Sequence, residues 1–214
     1  MTSLQFGSAP CSCKESVHQT KLIAVTGGPG AGKTAILELC LRSFCKHVGV
    51  LPEAASMLFG CGFPRFESAP ARRAAQRAIY HVQDELQTLV VSEAFLAVGL
   101  CDRGTIDGLA YWPGTPESFF KECHTTRERE FARFAAVIHL ETPSADEGYN
   151  HQNPLRTESP AEAQAIDKRI IEAWNGHPNF ITVQATEDFM AKAHKAIQVI
   201  RSLLPPCCQS HPIP

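Results

Sequence analysis

An α/β fold, with a parallel sheet covered by helices on both faces, is predicted from three features of the sequence. Short β-favouring runs alternate with segments of helical periodicity along most of the chain. These runs are nearly continuous in apolar residues, as strands buried on both faces are. Third, the octet GGPGAGKT at residues 27–34 fits the pattern G-x-x-x-x-G-K-[ST]. It stands between an apolar run and a helical one, the setting in which that pattern binds phosphate.

The elements follow in order. Leu22-Ile23-Ala24-Val25-Thr26 reads as the first strand, and 32–45, with Ile36, Leu37, Cys40 and Leu41, as the helix behind the glycine loop. Further strands are expected at 47–51, 96–101, 135–140 and 179–183, and further helices at 69–93, 125–134, 160–174 and 187–203. That makes five strands. The loop 141–160 has few apolar residues and is long for such a connection, the character of a lid. Residues 1–20 are polar and irregular and 205–214 are proline-rich, so both are expected as disordered tails around a domain at 21–204.

Bulk properties narrow the class. A length of 214 residues suits one domain with a full core, and 44% apolar with 20% charged residues fits a soluble globule. A formal net charge of −2 argues against a nucleic-acid-binding face. No apolar run approaches the roughly 20 residues that span a bilayer. The N-terminus lacks a basic stretch followed by an apolar one, so the expected compartment is the cytoplasm. Of nine cysteines, Cys40, Cys45, Cys101 and Cys123 fall in or beside predicted elements and read as small buried apolar residues. The odd count favours reduced thiols over a disulfide framework. Cys11, Cys13, Cys207 and Cys208 lie in the tails without zinc-type C-x-x-C spacing and are read as incidental.

The octet carries the first chemistry. Gly28, Pro29, Gly30, Ala31 and Gly32 wrap a phosphate with backbone N–H groups at a helix N-terminus. Lys33 would reach the β- and γ-phosphates, and the Thr34 hydroxyl would ligate Mg²⁺. The expected ligand is therefore a nucleoside triphosphate, ATP or GTP, with Mg²⁺.

In an open α/β sheet the ligand lies at the carboxyl ends of the strands. The third strand ends Cys101-Asp102-Arg103-Gly104, where Asp102 could hold Mg²⁺ through water and Arg103 could neutralise phosphate charge. Asp107 reads as a helix-start residue. The second strand ends Leu51-Pro52-Glu53, and Glu53 is either the base for an attacking hydroxyl or an acid complementing a helix dipole. Spacing alone does not choose between these. In the loop that carries Tyr149, Asn150, Asn153, Arg156 and Glu158, Arg156 either closes over the triphosphate or stays solvated. Gln76 and Gln83 share a face of the helix 69–93 and either contact a base or face water, whereas Trp112 and Trp174 are assigned to the core.

Taken together, GGPGAGKT, LPEAA, CDRGTIDGLAYW, VIHLETP and NPLRTESPAEAQAIDKRIIEAW-NGHP resemble one pattern. It is that of a small P-loop family, often labelled "AAA domain". The family groups the kinase-like domain of NadR-type ribosylnicotinamide kinases with translocation-defect-type nucleotide-binding proteins. The resemblance spans about 21–203. It implies a three-layer P-loop NTPase fold with kinase-like strand order 2-3-1-4-5. It also implies Glu53 as base, Asp102-Arg103 as the acidic motif, and Arg156 in the lid. It does not imply a hexameric motor, because Arg103 stands where such motors carry a water-activating Glu.

The function expected is a small-molecule kinase, monomeric or homodimeric, that moves the γ-phosphoryl of ATP to a hydroxyl of an unidentified nucleoside-like acceptor. The alternative is an ATP- or GTP-dependent binding switch that engages protein or anionic lipid. No N-K-x-D guanine motif occurs in the chain, and base contacts are expected from Gln184 to Glu187.

Overall fold

The computed structural model describes residues 3–11, 13, 17–143, 159–186 and 188–209. Six strands form one sheet: β1 (Gln5–Phe6), β2 (Lys21–Thr26), β3 (Val48–Leu51), β4 (Val98–Asp102), β5 (Phe134–Leu140) and β6 (Phe180–Val183). Their spatial order is β1-β3-β4-β2-β5-β6. The last five pair in parallel, and among themselves they run in the order 2-3-1-4-5.

The sixth strand corrects the five-strand expectation, and with it the expectation of a disordered N-terminal tail. Gln5 and Phe6 pair antiparallel with Val50 and Gly49 of β3, which covers an otherwise open sheet edge. Within the expected C-terminal tail, Pro206–Gln209 forms a short helix, α8. Pro206 takes its first position, where a missing N–H costs nothing.

The helices are α1 (Lys33–Ser43), α2 (Ala54–Gly60), α3 (Ala69–Glu93), α4 (Pro116–Glu122), α5 (Arg127–Arg133), α6 (Pro160–Trp174) and α7 (Phe189–Leu203), with a 3-10 helix at Thr105–Tyr111. Side chains of β2 alternate between the two faces. Ile23 and Val25 join Ile36, Leu37 and Cys40 of α1 and Ala196, Ile197 and Ile200 of α7 in one core. Leu22 and Ala24 join Tyr80 and Val90 of α3 and Ile166, Ile170 and Trp174 of α6 in the other. The sheet is thus sealed on both sides, and only the strand ends remain to build a site.

Two local signals fix elements beside that site. Ser159 caps α6 with a full capping box: its Oγ accepts from the Glu162 N–H, and the Glu162 carboxylate accepts from the Ser159 N–H. α3 stops at Ala94, which takes a left-handed φ of 52° and donates its N–H to the Val90 carbonyl. Among the described residues no helix is long and apolar enough to cross a membrane.

Candidate phosphate-binding site

The glycine loop follows β2 and enters α1 at Lys33, as the octet's placement predicts. Gly32 caps the helix at φ 88°, a left-handed state open to glycine without strain, and it aims the first helical N–H groups into the loop. Gly27 has φ 138° and passes so close to β5 that a Cβ would meet the Leu140 carbonyl oxygen at 2.2 Å. Thr34 is exposed at the mouth of the loop.

Lys33 is 8% exposed, and its Nζ donates to the carbonyls of Gly27 (2.8 Å) and Gly28 (2.9 Å). Burial first, and then the Arg103 charge, lower its pKa to about 8 against the support of Asp102, Glu53 and Asp107. The ammonium therefore lies over the loop with a lowered pKa, which an anionic ligand would raise again.

Sheet order brings the later carboxylates to this point. Asp102, the last residue of β4, pairs in register with Val25 of β2, two residues before the loop. It is 4% exposed, and its Oδ1 has no hydrogen-bond partner among the described residues. Burial, followed by the Glu53 charge, raises its pKa to about 6 despite Lys33 and Arg103. An orphaned buried carboxylate oxygen beside a phosphate loop fits a site for hydrated Mg²⁺. The exposed Thr34 hydroxyl would supply the other protein ligand.

Glu53 caps α2 at the end of β3. One carboxylate oxygen accepts from Arg103 Nε at 2.5 Å and the other from Ser56 Oγ at 2.5 Å. Burial pushes this carboxyl up, but the Arg103 charge, the Ser56 hydrogen bond and the Lys33 charge outweigh it and hold the pKa at about 2. Arg103 is thus committed to Glu53 and not to open solvent. It holds φ 78°, uncommon for a residue with a Cβ, and its guanidinium also lies 3.6 Å from Asp107.

Asp107 lies in the first turn of the 3-10 helix, as expected of a helix-start residue, and it also joins the site's hydrogen-bond network. It is buried at 2% exposure and accepts from Thr26 Oγ1 (2.5 Å) and Trp174 Nε1 (2.7 Å). Trp174 is a core residue, but one that also donates into this network. Gly104 of the Asp-Arg-Gly run lies flat on its ring, where a Cβ would meet Cζ2 at 2.1 Å. Gln83 is buried and donates from Nε2 to the Arg103 carbonyl, so that N–H group is taken up by the protein. Arg73 and Arg77 on the same helix both pair with Glu122.

Two site residues escaped the sequence reading. Asp167 of α6 accepts from the Gly28 N–H (2.6 Å) in the phosphate loop, lies 3.0 Å from His139 Nε2, and accepts from the Thr142 N–H (3.3 Å). Burial pushes its carboxyl up, but His139 and the two backbone donors outweigh this and keep it below the usual value. Lys192 of α7 donates from Nζ to the carbonyls of Ala31 (2.9 Å) and Glu141 (2.6 Å), the former within the loop. Both had a visible signal: each is a charged residue on an apolar helical stripe, Ala163-Ile166-Ile170 for Asp167 and Ala196-Ile200 for Lys192. Arg156, with Tyr149, Asn150, Asn153, Glu158 and most of the expected lid, lies outside the described residues, as does Glu187. Of the expected base-contact segment, Ala185 donates its N–H to Glu141 at 2.9 Å.

A family model described as an AAA domain matches residues 22–191. The chain belongs to this family. The AAA-domain match takes in the phosphate loop, Glu53, Asp102-Arg103 and α6, so the chain is a P-loop nucleotide-binding domain. Among solved structures, the NadR protein in complex with NAD and AMP-PNP is similar with a TM-score of 0.57 at 15% identity, covering 86% of this chain and 49% of that chain. This AAA-domain protein therefore spans about half the length of that relative and shares its fold. No curated protein matches the chain.

Proposed function

We propose that this AAA-domain protein is a phosphotransferase that moves the γ-phosphoryl group of Mg²⁺-bound ATP, or GTP, to a hydroxyl of a nucleoside-like small molecule in the cytoplasm. The observation that carries the reading is Glu53. A carboxylate at the end of a neighbouring strand, ionised at neutral pH and oriented by Arg103 and Ser56, faces the same point as Lys33 and Asp102.

Phosphoryl transfer through a loose transition state asks little covalent work of the protein and much positioning. Lys33 and the loop N–H groups would hold the β- and γ-phosphates, and Thr34 and Asp102 would hold the metal, which when bound supplies positive charge against the phosphates. The acceptor hydroxyl takes the place of Ser56 at Glu53. Its oxygen bonds to the γ-phosphorus as the bond to the bridging oxygen breaks, its proton passes to Glu53 and then to solvent, and the nucleoside diphosphate leaves. Arg156, from the segment between β5 and α6, would add charge to the transferring group. NadR, bound to NAD and AMP-PNP, supports the reading through its fold.

The test is transfer of label from γ-labelled ATP and GTP to a panel of nucleosides and sugars, with Lys33→Ala and Glu53→Gln as controls. An acceptor that beats water is expected. Glu53→Gln should cut transfer by about 10²–10⁴-fold while binding nucleotide, and Lys33→Ala should lose binding. If no acceptor beats water and Glu53→Gln hydrolyses nucleotide like wild type, the kinase reading fails. Nucleotide-dependent binding to anionic liposomes would then favour the switch.

A further inference from the structure

At the opposite end of the sheet from the phosphate loop, ahead of β3, four potential metal ligands converge from three distant parts of the chain. Cys11 Sγ lies 3.5 Å from His47 Nδ1, Cys45 Sγ lies 3.9 Å from the same nitrogen, and Cys45 Sγ lies 3.5 Å from Cys208 Sγ. All four ligand atoms fall within 4.8 Å of one another. We propose that Cys11, Cys45, His47 and Cys208 bind one zinc ion in a closed Cys₃His site. If so, Cys11 and Cys208 are not incidental, and Cys45 is more than an apolar filler.

The distances are those of a tetrahedron. With Zn–S of about 2.3 Å and Zn–N of about 2.0–2.1 Å, the edges of such a site are about 3.8 Å between sulfurs and about 3.6 Å between sulfur and nitrogen. The two sulfur–nitrogen distances, 3.5 and 3.9 Å, bracket their value, and the sulfur–sulfur distance of 3.5 Å falls about 0.3 Å short of its own. A Cys45–Cys208 disulfide would need the sulfurs at about 2.0 Å and would leave the other two ligands unexplained. The surroundings suit thiolates. The Cys13 N–H donates to Cys11 Sγ at 3.4 Å, and the His47 backbone N–H donates to Cys45 Sγ, so two sulfurs each receive an amide from two residues further on. The His18 ring packs on the His47 ring with centroids 4.6 Å apart and holds the imidazole plane.

The site is structural by its coordination, since four protein ligands leave no position for substrate. Cys45, His47 and Cys208 are buried and Cys11 is half-buried, so the ion would enter past Cys11. Soft thiolates with one imidazole select zinc over magnesium or calcium. Its effect would be to staple the segment that carries β1, the turn before β3, and α8 to one another, which secures the covered edge of the sheet.

The test is zinc content of the full chain purified with a thiol reductant and no chelator, together with the spectrum of the cobalt-substituted protein. One zinc per chain is expected, and cobalt should give the intense red-region bands of tetrahedral coordination with a thiolate-to-cobalt charge-transfer band. Cys45→Ser and Cys208→Ser should lose the metal, whereas Cys61→Ser, at an exposed cysteine remote from the cluster, should keep it. Cys11→Ser changes only a half-buried thiol; it should retain the fold by circular dichroism and still surrender zinc to a chelator that wild type withstands. Wild type with no more zinc than Cys45→Ser, and with no tetrahedral cobalt spectrum, overturns the proposal. So does a Cys45–Cys208 disulfide in the metal-free protein as isolated. Nucleotide binding, read on the same samples, reports on the other end of the sheet and stands or falls separately.

Discussion

Asp102 gives the sharpest test of the site, because one substitution should move stability and binding in opposite directions. Its Oδ1 is buried without a partner among the described residues, and burial, then the Glu53 charge, raise the carboxyl from 3.8 to about 6. At about 1.4 kcal/mol per pH unit, that gap makes the ionised carboxylate cost about 3 kcal/mol of folding stability near neutrality. Asp102→Asn keeps the shape and removes the charge. That cost is already net of the Lys33 and Arg103 charges, but the amide leaves a buried polar group to satisfy, so the gain expected is about 1–3 kcal/mol. For a domain of this size, that corresponds to an unfolding midpoint higher by roughly 3–9 °C. The folded-state pKa lies above the unfolded one. The cost is therefore full above about 6 and vanishes below 3.8, and the advantage of the variant must shrink as the pH falls through that window. The same change removes a proposed metal ligand, so Mg²⁺-dependent nucleotide binding by calorimetry should weaken by at least about tenfold. An Asn variant that melts at or below wild type near neutral pH refutes the reasoning. So does an advantage undiminished in acid.

Asp167→Asn should act in the other direction on stability. An amide cannot accept at both oxygens from Gly28, His139 and Thr142, so a loss of about 2–4 kcal/mol in urea unfolding is expected, with weaker nucleotide binding as the loop loosens. A change below about 0.5 kcal/mol would show that the carboxylate does not hold the loop. Lys33 predicts the proton balance of binding. Its pKa of about 8 in the free protein must rise when a polyphosphate arrives, so titrations just above that pH, in buffers of differing ionisation enthalpy, should register proton uptake. Binding with no uptake there would show that Lys33 does not meet the phosphates.

What the sequence disclosed and what it withheld divide along one physical line. β2, the glycine loop and α1 were legible because adjacent residues specify them: apolar run, octet, then helical period. The five parallel strands fell within two residues of expectation for the same reason, whereas the two-residue β1 carries no period and exists only because β3 offers an edge. Glu53 and Asp102 were legible as strand-end carboxylates. That Arg103 turns back onto Glu53 was not, since it needs β3 and β4 to lie side by side and a left-handed φ between them. Asp167 and Lys192 were marked by charge on an apolar stripe, but their partners lie in the loop, far away in sequence. The cysteines are the extreme case, with Cys45 and Cys208 separated by 163 positions and none spaced as a zinc motif. Their convergence depends on α7 returning along the core to place α8 beside the turn before β3. Chemistry held by consecutive residues can be read from a string. Chemistry held by strand order exists only once the sheet has formed, and here that covers both the orientation of Glu53 and the proposed metal staple.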